Sequence, residues 1–305
     1  MSDMNVVKVF LFLPLFFAKV ALGDGCEYAY VVNELRQNCT GINQELQKIK
    51  TKETVNTVVT GVGTVAAGGA LYAGIKKKDI DKKAEELAKK MDDIENMSDK
   101  DFMVLLKDMA RYEELKEQYD SMCQIKRDYE ASAKKLGNIR TGLLAGNTVT
   151  AVAGTIVSSS SKKNSDSIQD MIQKCLDTIK NNEQKIGQAR IDCDHGQYEK
   201  LRKVVSECGM LSTENMEKVS KISTASAAVS GVNIGTGFAG TITSALGNKN
   251  QYDQKTKNLN TAANVMAGAS TAASGVATVL NAVTLKSINN NISISESCEG
   301  AINKL

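Results

Sequence analysis

Apolar residues recur along much of this chain at alternating steps of four and three. That is the period of helices burying one seam against a neighbour. Between Tyr28 and Ile49 the seam is Tyr28, Val32, Leu35, Cys39, Ile42, Leu46 and Ile49. Ile80, Ala84, Leu87, Met91 and Ile94 repeat it, and a run from Phe102 through Leu105, Met109, Tyr112, Leu115 and Tyr119 to Leu136 continues it. Ile168, Ile172, Cys175, Ile179, Asn182, Ile186, Ala189 and Cys193 form another seam, and Tyr198, Leu201, Val205 and Cys208 a short one. No period-two alternation persists, so the fold class is all-α: long helices and antiparallel coiled-coil hairpins. Breaks are expected at Asn96–Asp99, where Ser98 is placed to cap the next helix, at Asp194-His195-Gly196 and at Ser212-Thr213. The charged stretches 76–140 and 162–221 then read as hairpins turning near Asn96 and Gly196.

Four stretches carry no charge at all: Thr54–Ile75, Thr141–Ser161, Ile222–Asn248 and Asn258–Leu285. Each is about 20 to 28 residues long, enough to cross a bilayer as a helix. All are built mainly from Gly, Ala, Thr, Ser and Val, and Lys or Arg brackets each one. Ala153–Ser158 and Ala239–Ser244 are near-copies of one another, a loose internal repeat. Small residues recur at every fourth position. That spacing assigns helix packing to Gly61 and Gly69, Gly142, Gly146 and Gly154, Gly231 and Gly235, and Gly275, in four small-xxx-small helices packed as a bundle. In water each interior glycine costs about 1 kcal/mol relative to alanine, so close packing must offset that cost. Asn147, Asn233, Asn264 and Asn281 sit inside these segments. Two settings fit: insertion in a membrane as antiparallel pairs, or a soluble bundle whose narrow interface excludes water.

The N-terminus has the plan of a signal peptide, residues 1–23. Lys8 precedes the apolar run Val9–Ala18, and Ala21-Leu22-Gly23 offers a cleavage site. Residues 24–305 then read as a single elongated helical domain. The only proline, Pro14, lies in the leader, and the chain has no Trp. Long uninterrupted helices packed through small and aliphatic side chains follow from that. Suppose the leader is removed and all four segments cross. Cys26, Cys39, Cys175, Cys193, Cys208 and Cys298 then lie outside the cytoplasm as disulfide candidates, with connectivity open, and Cys123 lies inside. The inside stretches 76–140 and 249–257 are also the denser in Lys and Arg.

Candidate chemistry changes this picture little. Gly235-Thr236-Gly237-Phe238-Ala239-Gly240 matches GxGxxG, but a dinucleotide site needs a strand before it and a helix after it, and no strand is expected here. Cys193, His195 and Cys208 have no common zinc spacing. A formal net charge of +3 with no basic stripe excludes nucleic acid as the natural partner. No catalytic residue, cofactor, metal or small-molecule substrate is assigned. The expected protein is an exported, non-enzymatic component of the cell envelope, a membrane-embedded scaffold or a pore-forming or oligomerising protein. Its partners would be membrane lipid, copies of itself and other envelope proteins docking on the heptad seams. The alternatives are a soluble secreted or periplasmic coiled-coil interaction module and, from the glycine motif alone, a dinucleotide-binding enzyme.

Overall fold

After Pro14 nothing in the sequence forces a helix to stop, and the computed structural model, which describes residues 26–248 and 254–305, is built almost wholly of helix. The signal peptide expected over 1–23 lies outside the described residues, as do residues 249–253 of the stretch 249–257. The order is α1 (Tyr28–Cys39), α2 (Ile42–Glu95), α3 (Asp99–Leu106), α4 (Met109–Asn181), α5 (Glu183–Asp192), α6 (His195–Cys208), α7 (Thr213–Gly247) and α8 (Gln254–Ile302). Among the described residues there is no strand. The 73 residues of α4 run from a charged seam through an uncharged segment into a second charged seam without a break.

Local chemistry sets the ends. Gly41, at φ 84°, separates α1 from α2 in a left-handed conformation that a side chain disfavours. Ser98 Oγ accepts the Asp101 amide and opens α3. Asp194 caps α6 by accepting the Gly196 amide, and Gln197 completes the capping box. Ser212 Oγ accepts from the Asn215 amide at 3.3 Å and starts α7. Three breaks differ from the sequence reading: Thr40–Gly41 interrupts the first seam, Lys107–Asp108 the run from Phe102, and Asn182 the fourth seam. Asn182, read as a seam position, ends α4 instead, with its side-chain amide donating to Glu34 at 2.7 Å and to the Thr178 carbonyl at 2.9 Å.

The described residues group into two compact units. The first comprises chain up to Lys48, Asp166–Glu217 and Ile288–Leu305. Its interior is conventional: Leu35, Ile42, Leu46, Ile168, Ile172, Leu201, Val204, Met216, Ile288 and Ile302 are fully buried. Three disulfides lace it, Cys26–Cys193, Cys39–Cys175 and Cys208–Cys298, pairing all six candidate cysteines, while Cys123 remains a half-buried thiol in the other unit. The three bonds join residues 167, 136 and 90 positions apart, so each removes much freedom from the unfolded chain.

The second unit comprises Ile49–Ser165 and Lys218–Ser287. Its contacts describe a square of four antiparallel helices. Asn56 of α2 meets Ser158 of α4, and further along Gly74 meets Arg140. Ser158 meets Ser226 of α7, and Thr141 meets Ser244. Ser226 meets Asn281 of α8, and Thr236 meets Ser270. Asn281 returns to Thr60 of α2, and Thr64 meets Thr278. This is up-down-up-down topology, with each helix beside the next in sequence and α8 closing on α2.

Replacing Cys39 and Cys175 together by serine should lower the thermal stability of the first unit by the equivalent of about 2–5 kcal/mol. Scanning calorimetry of the purified chain, with and without a thiol reductant, measures it, and reductant should bring the parent chain toward the variant.

Candidate functional site

The four uncharged segments keep the same 4-3 alternation as the charged seams, with the occupants changed. On α2 the buried positions are Glu53, Asn56, Thr60, Gly63, Ala67, Ala70, Gly74 and Lys77; on α4, Arg140, Leu144, Asn147, Ala151, Gly154, Ser158 and Ser161. The seams of α7 and α8 carry Ser223, Ser226, Ser230, Asn233 and Ser244, and Ala263, Ala267, Ser270, Ser274, Ala277, Asn281 and Thr284. A strict fourfold row of small residues turns about 40° further round a helix at each step, so it leaves the interface after two or three turns. This accounts for where the eight glycines assigned to packing lie. Gly61, Gly142, Gly146, Gly231, Gly235 and Gly275 have open space where a Cβ would stand, whereas Gly69 touches Leu143 and Gly154 touches Thr60. The close approaches within the chain fall on other glycines: Gly63 against Thr150 and Asn147, Gly74 against Asn264, Gly237 against Thr148 and Gly240 against Leu144.

The buried residues bond in layers. In one layer Asn56 Nδ2 donates to Ser158 Oγ at 2.9 Å, Ser158 to Ser226 at 3.3 Å, and Ser226 to Asn281 Oδ1 at 2.7 Å. Asn281 Nδ2 closes the circuit on Thr60 at 3.2 Å. The next layer is a triad: Asn147 Nδ2 donates to Asn233 Oδ1 at 2.9 Å, Asn233 Nδ2 to Ser274 Oγ at 2.7 Å, and Ser274 Oγ to Asn147 Oδ1 at 3.0 Å. On the fourth helix Gly63 leaves room for it. An apolar layer of Ala70, Leu144 and Ala267 follows, flanked by Leu71 and Leu143. Beyond it lies the fully buried Arg140. Its Nε donates to Ser244 at 2.8 Å, Nη1 to Asn264 at 3.0 Å and Nη2 to Asn260 at 2.8 Å. These acceptors are neutral, so the guanidinium keeps its charge in the core.

The outside of the four uncharged segments is correspondingly apolar. Val55, Val58, Val62, Val65, Tyr72 and Ile75 are exposed on α2; Ile139, Val149, Val152 and Ile156 on α4; Val232, Phe238, Ile242 and Leu246 on α7; Val265, Val276, Val279 and Val283 on α8. Val65 is 77% exposed and Val149 69%. Such a surface is not normal for a protein in water, whereas buried asparagine and serine are common glue between helices in lipid. In the first unit, among the described residues, the exposed large apolar side chains are Tyr30, Ile191 and Met210 alone. Three helical stretches, within Tyr28–Glu95, Met109–Asn181 and Gln254–Ile302, are long and apolar enough to cross a membrane. The sequence reading counted four. The segment in α7 is not among them, diluted by its Ser, Thr and Asn, yet α7 is bonded layer by layer between α4 and α8.

Elsewhere the second unit presents one further feature. At the hairpin of α2 and α4, Ile94, Met97, Phe102, Leu105, Tyr112, Leu115 and Tyr119 line a cleft of about 160 Å³. The Glu95 carboxylate accepts the Tyr119 hydroxyl there and pushes that phenol up to about 12. Phe102, Met103, Val104, Leu106 and Met109 are exposed around α3.

In the first unit the Glu27 carboxylate, 2.7 Å from Lys185, holds that ammonium above its usual pKa, and Lys185 also lies 4.1 Å from the Tyr30 ring centre. The GxGxxG stretch lies in the interior of α7, with no strand before it. His195 is the exposed first residue of α6. No protein-family model, curated protein or solved structure matches this chain.

The inverted core makes two contrasting forecasts. Asn233→Leu removes the acceptor of Asn147 Nδ2 and the amide that Ser274 Oγ accepts from, leaving only the Ser274 to Asn147 bond, and should cost about 1–3 kcal/mol per group left unsatisfied. Gly74→Ala should also destabilise, because the new Cβ falls where Asn264 Oδ1 stands and forces it off Arg140. Gly235→Ala, which meets open space, should be neutral or stabilise by up to about 1 kcal/mol. Denaturant titration of the purified chain in mild detergent, followed by circular dichroism, reads all three.

Proposed function

We propose that this protein is a non-enzymatic scaffold of the cell envelope, anchored in a membrane by the bundle of α2, α4, α7 and α8. One observation carries the reading: in the four uncharged segments of that bundle the asparagines and most buried serines face inward and the valines outward. Water would favour the opposite arrangement. Lipid favours this one, because every polar side chain must find its partner within the protein. The height of the apolar shell agrees. From Val55 to Ile75 on α2 it spans about 30 Å at helical rise, and from Val265 to Val283 on α8 about 27 Å, close to the thickness of a hydrocarbon core.

Four crossings place residues 24–53, 162–221 and 286–305 on one side. The three disulfides all lie within these stretches, which fits an oxidising compartment on that side. Cys123, the free thiol, belongs to the other. The reading favours an anchor over an open pore. The side chains of the core bond directly to one another, and Ala70, Leu144 and Ala267 fill a layer between them. The outward glycines, including Gly231 and Gly235, supply flat ground for a second bundle to pack against in lipid. A second reading, protein docking, is favoured by the exposed apolar side chains around α3.

Membranes from expressing cells, washed in alkaline carbonate, should retain the protein in the pellet; release into the supernatant would refute the anchor. Paired Val65→Lys and Val149→Lys changes, both on the exposed shell, should shift it toward the soluble fraction. In intact spheroplasts, a membrane-impermeant maleimide should leave Cys123 unlabelled until the membrane is opened.

A further inference from the structure

We infer that the layer of the bundle formed by Glu53, Ser161, Ser223 and Thr284 is an oxygen-lined site for a monovalent cation of the size of sodium. The register of the four helices places these residues together. Asn56 lies opposite Ser158, Ser158 opposite Ser226 and Ser226 opposite Asn281. One step outward along each antiparallel seam gives Glu53 on α2, Ser161 on α4, Ser223 on α7 and Thr284 on α8. Ser161 lies beside the Glu53 carboxyl, as that register requires, without a well-formed hydrogen bond to it. All four side chains are buried, with Glu53 at 1%, Ser161 at 0%, Ser223 at 2% and Thr284 at 1% exposure.

What marks the layer is a cluster of buried oxygens without partners. Glu53 Oε1, Ser161 Oγ and Ser223 Oγ have no hydrogen-bond partner, and neither has Asn56 Oδ1 one step further in. The Asn147, Asn233 and Ser274 layer, built from the same residue types, is bonded across in a closed circuit, whereas four unpartnered oxygens gather here; the other such residues among those described are Asn43, Asn248, Asn291 and Ser295. Buried polar atoms without partners are costly and call for an explanation such as an ion. The other Glu53 oxygen accepts only a long 3.4 Å bond from Asn56. Thr284 spends its proton on the Leu280 carbonyl at 3.1 Å and keeps lone pairs to offer. Serine hydroxyls rotate, so each presents a lone pair to a cation as readily as a proton to an acceptor.

The donor set fixes the class of ion. One carboxylate, hydroxyls and an amide oxygen are hard ligands and favour alkali and alkaline-earth cations over thiophilic metals. A single negative charge balances a single positive one. A divalent ion would leave an extra positive charge on a layer whose other ligands are all neutral oxygens, at a further cost of burial. The site depends only on the helix register and not on the membrane reading, so either can fail without the other.

The test uses the full chain, purified in non-ionic detergent. Equilibrium dialysis against radioactive sodium should give one ion per chain. The thermal midpoint should rise with sodium, and saturate, relative to N-methylglucamine chloride at equal ionic strength, as linkage requires of a ligand bound to the native state. Glu53→Gln should abolish the sodium-dependent rise, and Ser223→Ala, a milder change, should move its midpoint to higher sodium concentration. Absence of bound sodium in the unmodified chain would overturn the proposal even if Glu53→Gln does not fold. So would a rise that survives in a folded Glu53→Gln variant, or one that calcium reproduces at far lower concentration.

Discussion

The second unit depends on hydrogen bonds that have nowhere else to go. Asn147, Asn233 and Ser274 satisfy one another across three helices, and Asn56, Ser158, Ser226 and Asn281 do so across four. In water such bonds add little, because the unfolded chain makes equivalent ones with solvent. Against an apolar exterior the exchange is unequal, and each amide must meet its partner or remain unpaired. The polar seam therefore fixes which helices are neighbours and in what register. Leucine in the same positions would pack in several registers; an asparagine triad accepts one.

The two units use one repeat in opposite senses. In the first, α2, α4 and α8 bury Ile42, Leu46, Ile168, Ile172 and Ile288, and the interior is apolar as in any water-soluble coiled coil. In the second, the same helices bury Asn56, Asn147 and Asn281 at the equivalent steps. Helix periodicity is continuous through α4, so backbone geometry does not distinguish the two environments; side-chain polarity does. The division of the chain into units is a change of solvent preference written onto an unbroken heptad.

Much of this was legible beforehand. The all-α class, the four uncharged helices, Ser98 as a cap, and the breaks at Asp194 and Ser212 follow from composition and from local hydrogen-bonding rules that act over a few residues. Pairing of the cysteines was expected, but its connectivity depends on which helices adjoin and was not. The glycine row meets the neighbouring helices only in part, at Gly69 and Gly154, for a definite reason. A four-residue step looks like one helix face over two turns, and only the 4-3 alternation stays on one face over five. The buried partners of Arg140 lie some hundred or more residues away in sequence, which no local pattern carries. The unpartnered Glu53 Oε1 and Ser161 Oγ are invisible until all four helices stand together.

The lacing of the first unit constrains the order in which the molecule is made. Cys26 must wait for Cys193, Cys39 for Cys175, and Cys208 for Cys298. None of these bonds forms between near neighbours on a growing chain. The last closes only after the fourth uncharged stretch has left the ribosome, because that stretch lies between its two cysteines. Until then the emerging thiols stay open to mispairing, so oxidation must lag behind synthesis or be corrected by an isomerase.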